Sequence, residues 1–154
     1  MNTEIQARDI MQTDVITVSP EMSLGEVRDI FVRNRISGAP VVDEDGLCGV
    51  ISQADIVRVA LNKDFDDFPE SSFFLGFPAF YTGELSTGLS EGLDERYVEE
   101  AMTEHVFSVT PEERVSVIAV MMRQHRIHRV IVVEDRKVVG ILTALDLIQI
   151  LENH

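Results

Sequence analysis

The chain states one pattern twice. Sliding the sequence by 91 residues, without a gap, sets Met11 on Met102 and Thr17-Val18-Ser19-Pro20 on Ser108-Val109-Thr110-Pro111. The same shift sets Arg35-Ile36 on Arg126-Ile127, Val41-Val42 on Val132-Val133, Gly49 on Gly140 and Asp55 on Asp146. About a fifth of the paired positions are identical, and about a third of the others exchange one aliphatic for another. A unit of roughly 55 residues has only a thin core of its own. Two such units related by a pseudo-twofold can bury apolar faces against each other and form paired clefts, so the repetition points to a binding module.

Composition narrows the classes. The 154 residues suffice for one domain or two closely packed subdomains, and 45% hydrophobic content argues against global disorder. A net charge of −14 makes non-specific nucleic-acid binding implausible, because that attraction needs clustered Lys and Arg. The single Cys48 excludes an intramolecular disulfide and reads as a core residue. The N-terminus lacks the basic start and apolar run of a signal peptide, and no apolar stretch reaches membrane-spanning length. The expectation is a soluble cytoplasmic protein with no membrane span.

Each repeat carries the same order of elements. In the first, Val15–Val18 is a β-rich run closed by Ser19-Pro20, since Pro has no N–H to give a ladder. Ser23 and Glu26 form a capping box for a helix over about 24–34, with Leu24, Val27, Ile30 and Phe31 at helical spacing. Gly38-Ala39-Pro40 is expected to break that helix and lead into Val41-Val42. Asp43-Glu44-Asp45-Gly46 is a hairpin turn, Leu47–Ile51 a returning strand, and Ser52 the start of a closing helix to about Leu61. The second repeat gives a strand at Val106–Val109, a helix near Arg114–His125, a hairpin around Glu134–Lys137 and a helix from Thr143 to Leu151. The pattern β-α-β-β-α, twice, implies an α/β fold with helices against small three-stranded sheets. The domains are then 5–61 and 97–152, with 62–96 between them.

Chemistry concentrates where each hairpin ends. Both repeats read Gly-aliphatic-aliphatic-Ser/Thr-x-x-Asp, as Gly49-Val50-Ile51-Ser52 to Asp55 and Gly140-Ile141-Leu142-Thr143 to Asp146. Unpaired N–H groups at a helix start favour an anion, and a hydroxyl there can donate to phosphate. A carboxylate one turn later can accept from both hydroxyls of a ribose. The same Ser/Thr-x-x-Asp is also a plain capping box that needs no ligand. Both readings stand at this point. A metal site is not expected: His125-x-x-His128, with His105 and His154 elsewhere, lacks Cys or carboxylate partners at matching spacing. No Walker loop, Gly-x-Gly-x-x-Gly or nucleophile motif is present, so the chain does not read as an enzyme.

With these motifs in order, the chain resembles a tandem pair of cystathionine-β-synthase (CBS) domains, the adenylate-sensing arrangement called a Bateman module. The resemblance rests on Thr17-Val18-Ser19-Pro20, Ser37-Gly38-Ala39-Pro40-Val41-Val42, Gly49 to Asp55 and their echoes. It implies two repeats packed with pseudo-twofold symmetry and a ligand such as AMP, ADP or ATP, with or without Mg2+, ahead of S-adenosylmethionine or NAD. One implied site combines Val50, Ser52 and Asp55 with Phe107, Ser108, His128 and Arg129. The other combines Ile141, Thr143 and Asp146 with Ile16, Thr17, Ser37, Gly38, Ala39 and Pro40. Arg126-Ile127-His128-Arg129 is similar to a family run whose basic side chains face phosphates, so Arg129 predicts a preference of the Asp55 site for phosphorylated ligands. The resemblance further implies a regulatory sensor that forms a homodimer. The competing expectation is a dimerisation or scaffold module with vestigial sites.

The segment 62–96 fits neither repeat. It holds Phe65, Phe68, Phe73, Phe74, Phe77, Phe80 and Tyr81, followed by a Gly/Ser/Thr-rich stretch from Thr82 to Gly92 that reads as a loop. A helix is expected to resume near Leu93–Met102. The aromatics either pack back onto the repeats or present a docking surface for a protein partner at Phe65–Tyr81. Asp64, Asp66, Asp67 and Glu70 argue against a role at an anionic membrane surface.

Overall fold

The computed structural model describes residues 5–61, 72–75 and 92–152. Along the chain these form α1 (Ala7–Ile10), α2 (Leu24–Asn34), β1 (Gly38–Asp43), β2 (Gly46–Ser52), α3 (Gln53–Leu61) and α4 (Ser72–Leu75). A 3₁₀ turn at Leu93–Glu95 precedes α5 (Val98–Ala101), β3 (Ser108–Val109), α6 (Val115–His125), β4 (Arg129–Glu134), β5 (Lys137–Thr143) and α7 (Ala144–Glu152). The chain divides into two compact units, one of residues 16–73 and 77–105, the other of residues 1–15, 74–76 and 106–154.

In the unit built on the first repeat, α2 starts where expected, with the N-cap half of the expected capping box: the Ser23 hydroxyl accepts from the Glu26 N–H at 3.1 Å. It ends at Asn34, as expected, but not by the expected breaker. Arg35 takes the left-handed conformation at φ 54 and its N–H returns to Phe31 and Val32, so the helix stops there. Gly38-Ala39-Pro40 is therefore not the breaker; it opens β1, which pairs antiparallel with β2 from Gly38 opposite Ser52 to Asp43 opposite Gly46. The expected strand at Val15–Val18 contracts to one bridge, Val18 to Val41, so among the described residues this sheet has two strands rather than three. A single pair suffices because Pro40 and Val42 supply its carbonyl and N–H partners: the Val18 N–H donates to Pro40 at 3.0 Å and Val42 donates back at 2.8 Å. Val18, Leu24, Val27, Phe31, Val41, Ile51, Ile56, Leu93 and Val98 form the core.

The unit built on the second repeat holds the three-stranded sheet β3-β4-β5, with β3 parallel to β4 and β4 antiparallel to β5. The expected Val106–Val109 strand survives as two residues. The α6 helix closes on left-handed Arg126 at φ 56, the position matching Arg35 at the repeat offset. Asp135 and Arg136, at φ 51 and 68, make the hairpin turn that Gly46 helps to make in the first repeat. Ile118, Val130, Ile131, Val132 and Leu142 are buried.

The segments that lead into the repeats are placed symmetrically in the two units. In one, Thr103 exchanges two backbone hydrogen bonds of 2.9 Å with Val50; in the other, Gln12 exchanges two of 2.9 Å with Ile141. Residues 12 and 103, and 50 and 141, are related by the same offset of 91. Met102 lies over Gly49 and Met11 over Gly140, each within contact of where a Cβ would stand. The glycines recur because any side chain there would collide with the incoming segment. The expected helix near Leu93–Met102 is two short pieces, the 3₁₀ turn and α5, separated at Arg96-Tyr97. There the Leu24 N–H donates to the Arg96 carbonyl at 2.8 Å. Of the aromatic segment, Phe73 and Phe74 are buried; Phe65, Phe68, Phe77, Phe80 and Tyr81 lie outside the described residues.

Candidate functional site

The two Ser/Thr-x-x-Asp motifs sit where a hairpin strand passes into a helix, and both carboxylates are buried: Asp55 is 1% and Asp146 8% exposed. Their local hydrogen bonding is nearly superimposable. Asp55 Oδ2 accepts the Ser52 N–H at 2.8 Å and the Ser52 hydroxyl at 3.0 Å, while the Asp55 N–H meets Ser52 Oγ at 3.3 Å. Asp146 Oδ2 accepts the Thr143 N–H at 2.8 Å and the Thr143 hydroxyl at 3.0 Å, and its own N–H meets Thr143 Oγ1 at 3.2 Å. The capping reading is thus realised in full, but it uses one carboxylate oxygen.

The second oxygen separates the repeats. Asp55 Oδ1 is held by the Arg58 guanidinium one turn along α3, and three-quarters of the Arg58 side chain is buried. At the offset position on α7 stands Gln149, which carries no charge. Asp146 Oδ1 has, among the described residues, only Gln12 Nε2 at 3.3 Å, a long contact shared with Oδ2 at 3.4 Å. Burial pushes the Asp55 carboxyl above its ordinary range, partly offset by the Ser52 N–H and then by Arg58.

The other expected site residues gather around these starts, unit by unit. Ser37 to Pro40 run beside Val50 to Ser52, with Gly38 opposite Ser52, Ala39 opposite Ile51 and Pro40 opposite Val50; the Gln53 N–H donates to the Ser37 carbonyl at 2.9 Å. Ile16 is half-buried and Thr17 exposed at the entry to the Val18 bridge. In the other unit Arg129 stands opposite Thr143 and Ile131 opposite Ile141, and the Ala144 N–H donates to His128 at 2.8 Å. Ser108 pairs with Ile131 on β3 and is exposed, while Phe107 beside it is half-buried. Burial lowers the Arg129 guanidinium to about 10, which leaves it cationic at neutral pH.

Three residues at these positions escape a reading of the sequence. Arg58 has a usable signal, an acid–base pair one turn apart on a helix. Gln12 has none, because its reach to Asp146 depends on a backbone pairing across most of the chain. Phe74 has a partial one, since the aromatic run leads to an expectation of packing onto the repeats but not to its partners: its carbonyl accepts the His128 N–H at 2.7 Å, and its ring meets Phe107 edge-on with centroids 5.2 Å apart. Among the described residues, no group of three or more His, Cys, Asp or Glu is placed to hold a metal, and no helix is long and apolar enough to cross a membrane.

Comparison with known proteins agrees with this architecture. The family model for the CBS domain matches residues 7–62 and 98–153. The chain is 34% identical to the uncharacterized protein MJ1426 of Methanocaldococcus jannaschii, over 98% of this chain and 94% of that one. It spans 40% and 42% of two longer relatives from the same organism. The CBS domain of a CBS domain-containing membrane protein from Sphaerobacter thermophilus superposes with a TM-score of 0.71 at 32% identity, covering 96% of this chain and 88% of that one. The CBS domain pair of protein MJ0100, solved in complex with 5′-methylthioadenosine and S-adenosyl-L-methionine, superposes with a TM-score of 0.66 at 27% identity, covering 97% of each chain. Two matched repeats, each with its capped carboxylate at the end of a hairpin, make this chain a member of the CBS domain family, carrying the domain as a tandem pair.

Proposed function

We propose that the chain is a cytoplasmic, non-catalytic regulatory module that binds an adenosyl ligand and uses Asp146 as the principal acceptor for the ribose hydroxyls. The observation that carries the reading is the Asp146 carboxylate: buried, with one oxygen fixed by the Thr143 cap and the other met only by a long amide contact among the described residues. A ribose diol can displace so weak a contact and present two donors to one carboxylate. The complex of protein MJ0100 with two adenosyl compounds supports that ligand class. The groupings implied by the family resemblance belong to this proposal, with Val50, Ser52, Asp55, Phe107, Ser108, His128 and Arg129 in one site. Ile141, Thr143, Asp146, Ile16, Thr17 and Ser37 to Pro40 make the other. Within that frame Arg129 supplies a phosphate-binding cation, so AMP, ADP or ATP, with Mg2+ in the last case, stand beside S-adenosylmethionine and NAD as candidates.

The order of the sites departs from the sequence expectation. Arg129 favours the Asp55 site, whereas the Arg58 contact on Asp55 favours Asp146. Regulation would come from a ligand that binds one arrangement of the module better than another. A homodimer is part of the proposal, supported by Val117 and Val120 on α6 and Leu145, Ile148 and Leu151 on α7, which are 43 to 74% exposed. The first repeat has Glu26 and Asp29 at the positions of Val117 and Val120.

Complete caps that need no ligand favour the second reading, a scaffold with vestigial sites. A thermal-shift panel of AMP, ADP, ATP, NAD and S-adenosylmethionine, with and without Mg2+, tests the choice. A ligand at about a hundred times its Kd adds roughly 2.7 kcal/mol. A shift for one compound, lost in Asp146→Asn, supports the sensor; no shift for any, in nucleotide-free protein, supports the scaffold.

A further inference from the structure

Phe74 belongs to the segment between the repeats, yet it is fully buried in the unit of the second repeat. Its surroundings there are specific. The Phe74 ring stands at 84° to Phe107, and Phe107 is in turn tilted against His125 with centroids 4.9 Å apart. The Phe74 carbonyl takes the His128 N–H at 2.7 Å, immediately before β4. An aromatic face and an adjacent backbone donor are the two features by which a protein holds a flat heterocycle carrying a ring acceptor. Phe74 satisfies both at once, from one residue. The His128 carbonyl, by contrast, repeats what its counterpart Ser37 does, each accepting the N–H of the first residue of the next helix at 2.8 and 2.9 Å. The His128 N–H is thus engaged by a residue that belongs to neither repeat.

We infer that Phe74 is an internal occupant of the Phe107–His128 subsite and competes there with the heterocycle of an incoming adenosyl ligand. The inference rests on the proposed assignment of Phe107 and His128 to a ligand site. It adds a regulatory consequence: ligand entering this subsite must expel Phe74. Arg58 acts in the same sense on the carboxylate proposed for that site, since Asp55 Oδ1 is already held. The apparent affinity of a subsite that is open only a small fraction of the time is reduced by that fraction.

Isothermal titration of AMP and of 5′-methylthioadenosine into the full chain tests this with Phe74→Ala and, as a control, Phe73→Ala, whose buried ring lies in the other unit. The expected result is a second binding event per chain in Phe74→Ala, or a gain in affinity of about tenfold, with Phe73→Ala binding as the wild type does. Equal binding by wild type and Phe74→Ala overturns the inference while leaving the adenosyl reading intact. No binding by either protein removes both. Because Phe74→Ala opens a cavity that can compromise folding, 4-fluorophenylalanine at position 74 gives a second readout in an otherwise unchanged chain. Its fluorine resonance should move with the probe up to millimolar concentration; a resonance that stays fixed while probe binds contradicts the proposal.

Discussion

The helix starts at Ser52 and at Thr143 are built alike and left in different states. Both use a hydroxyl residue, a carboxylate three residues on, and three hydrogen bonds of nearly equal length. Among their differences, two touch the second carboxylate oxygen: Arg58 against Gln149 one turn along, and Thr103 against Gln12 on the incoming segment. Arg58 commits the remaining oxygen of Asp55, whereas the remaining oxygen of Asp146 meets the Gln12 amide at 3.3 Å. The cap alone therefore does not make a binding group; the residue one turn further along the helix decides whether the carboxylate is already committed. On the proposed reading, a single neighbouring cation separates the two motifs while the repeats keep the same fold.

Four substitutions break or sharpen this comparison. The largest effect is expected from Asp146→Asn, which keeps an oxygen for the Thr143 cap but loses the charge that a ribose diol needs. It should weaken adenosyl binding by roughly 10- to 100-fold, in line with about 1.5–3 kcal/mol for hydrogen bonds to a charged group, whereas Asp55→Asn should leave binding little changed. Titration calorimetry reads both. Exchanging the deciding residue comes next. Gln149→Arg should close Asp146 and cost about tenfold in affinity; Arg58→Gln should free Asp55 while destabilising the fold by about 1–3 kcal/mol, because the buried carboxylate loses its cation. Binding that ignores both exchanges would show that Arg58 does not distinguish the two sites.

The glycines under the incoming segments should respond unequally. A Cβ at Gly49 would stand 2.8 Å from the Thr103 carbonyl oxygen, a backbone atom that cannot swing aside. At Gly140 the nearest atom, at 2.6 Å, is the sulfur of Met11, which can rotate away, with the Gln12 carbonyl at 3.0 Å. Gly49→Ala should cost about 1–3 kcal/mol and Gly140→Ala less, read as a difference in Tm. The smallest expected effect is a pH slope. Because burial raises the folded-state pKa of Asp55, its contribution to stability is present below the ordinary carboxylate value of 3.8 and is lost as pH rises through the raised value. The stability of Asp55→Asn relative to wild type should therefore improve as pH rises from 3.8 through the raised value. Denaturant melts at several pH values test the sign, and a difference that moves the other way contradicts it.

Much of this architecture is legible in the sequence, and the losses have physical reasons. The order of helices and hairpins comes from periodicity and turn chemistry, as at Ser23 and Asp43 to Gly46. The end of α2 is placed correctly, but its cause is misassigned: Gly38 and Pro40 look like breakers, while the true stop is a left-handed arginine, which leaves no local mark. The first strand of each repeat is shorter than expected because its residues serve one or two pairings rather than a full ladder. The motif carboxylates are visible from their recurrence. Gln12 and Phe74 are not, since each reaches its partner through tertiary pairing that no pattern in its own segment encodes. Arg58 is in plain view, one helical turn from Asp55, and its meaning emerges only when Gln149 is set beside it.

The most direct test is the stoichiometry of AMP and S-adenosylmethionine binding by titration calorimetry on wild type, Asp146→Asn and Asp55→Asn. If Asp146 is the principal ribose acceptor, the compound that binds gives one dominant event per chain, abolished by Asp146→Asn and preserved by Asp55→Asn. Two equivalent events per chain, or a loss of binding in Asp55→Asn with Asp146→Asn unaffected, would contradict that assignment.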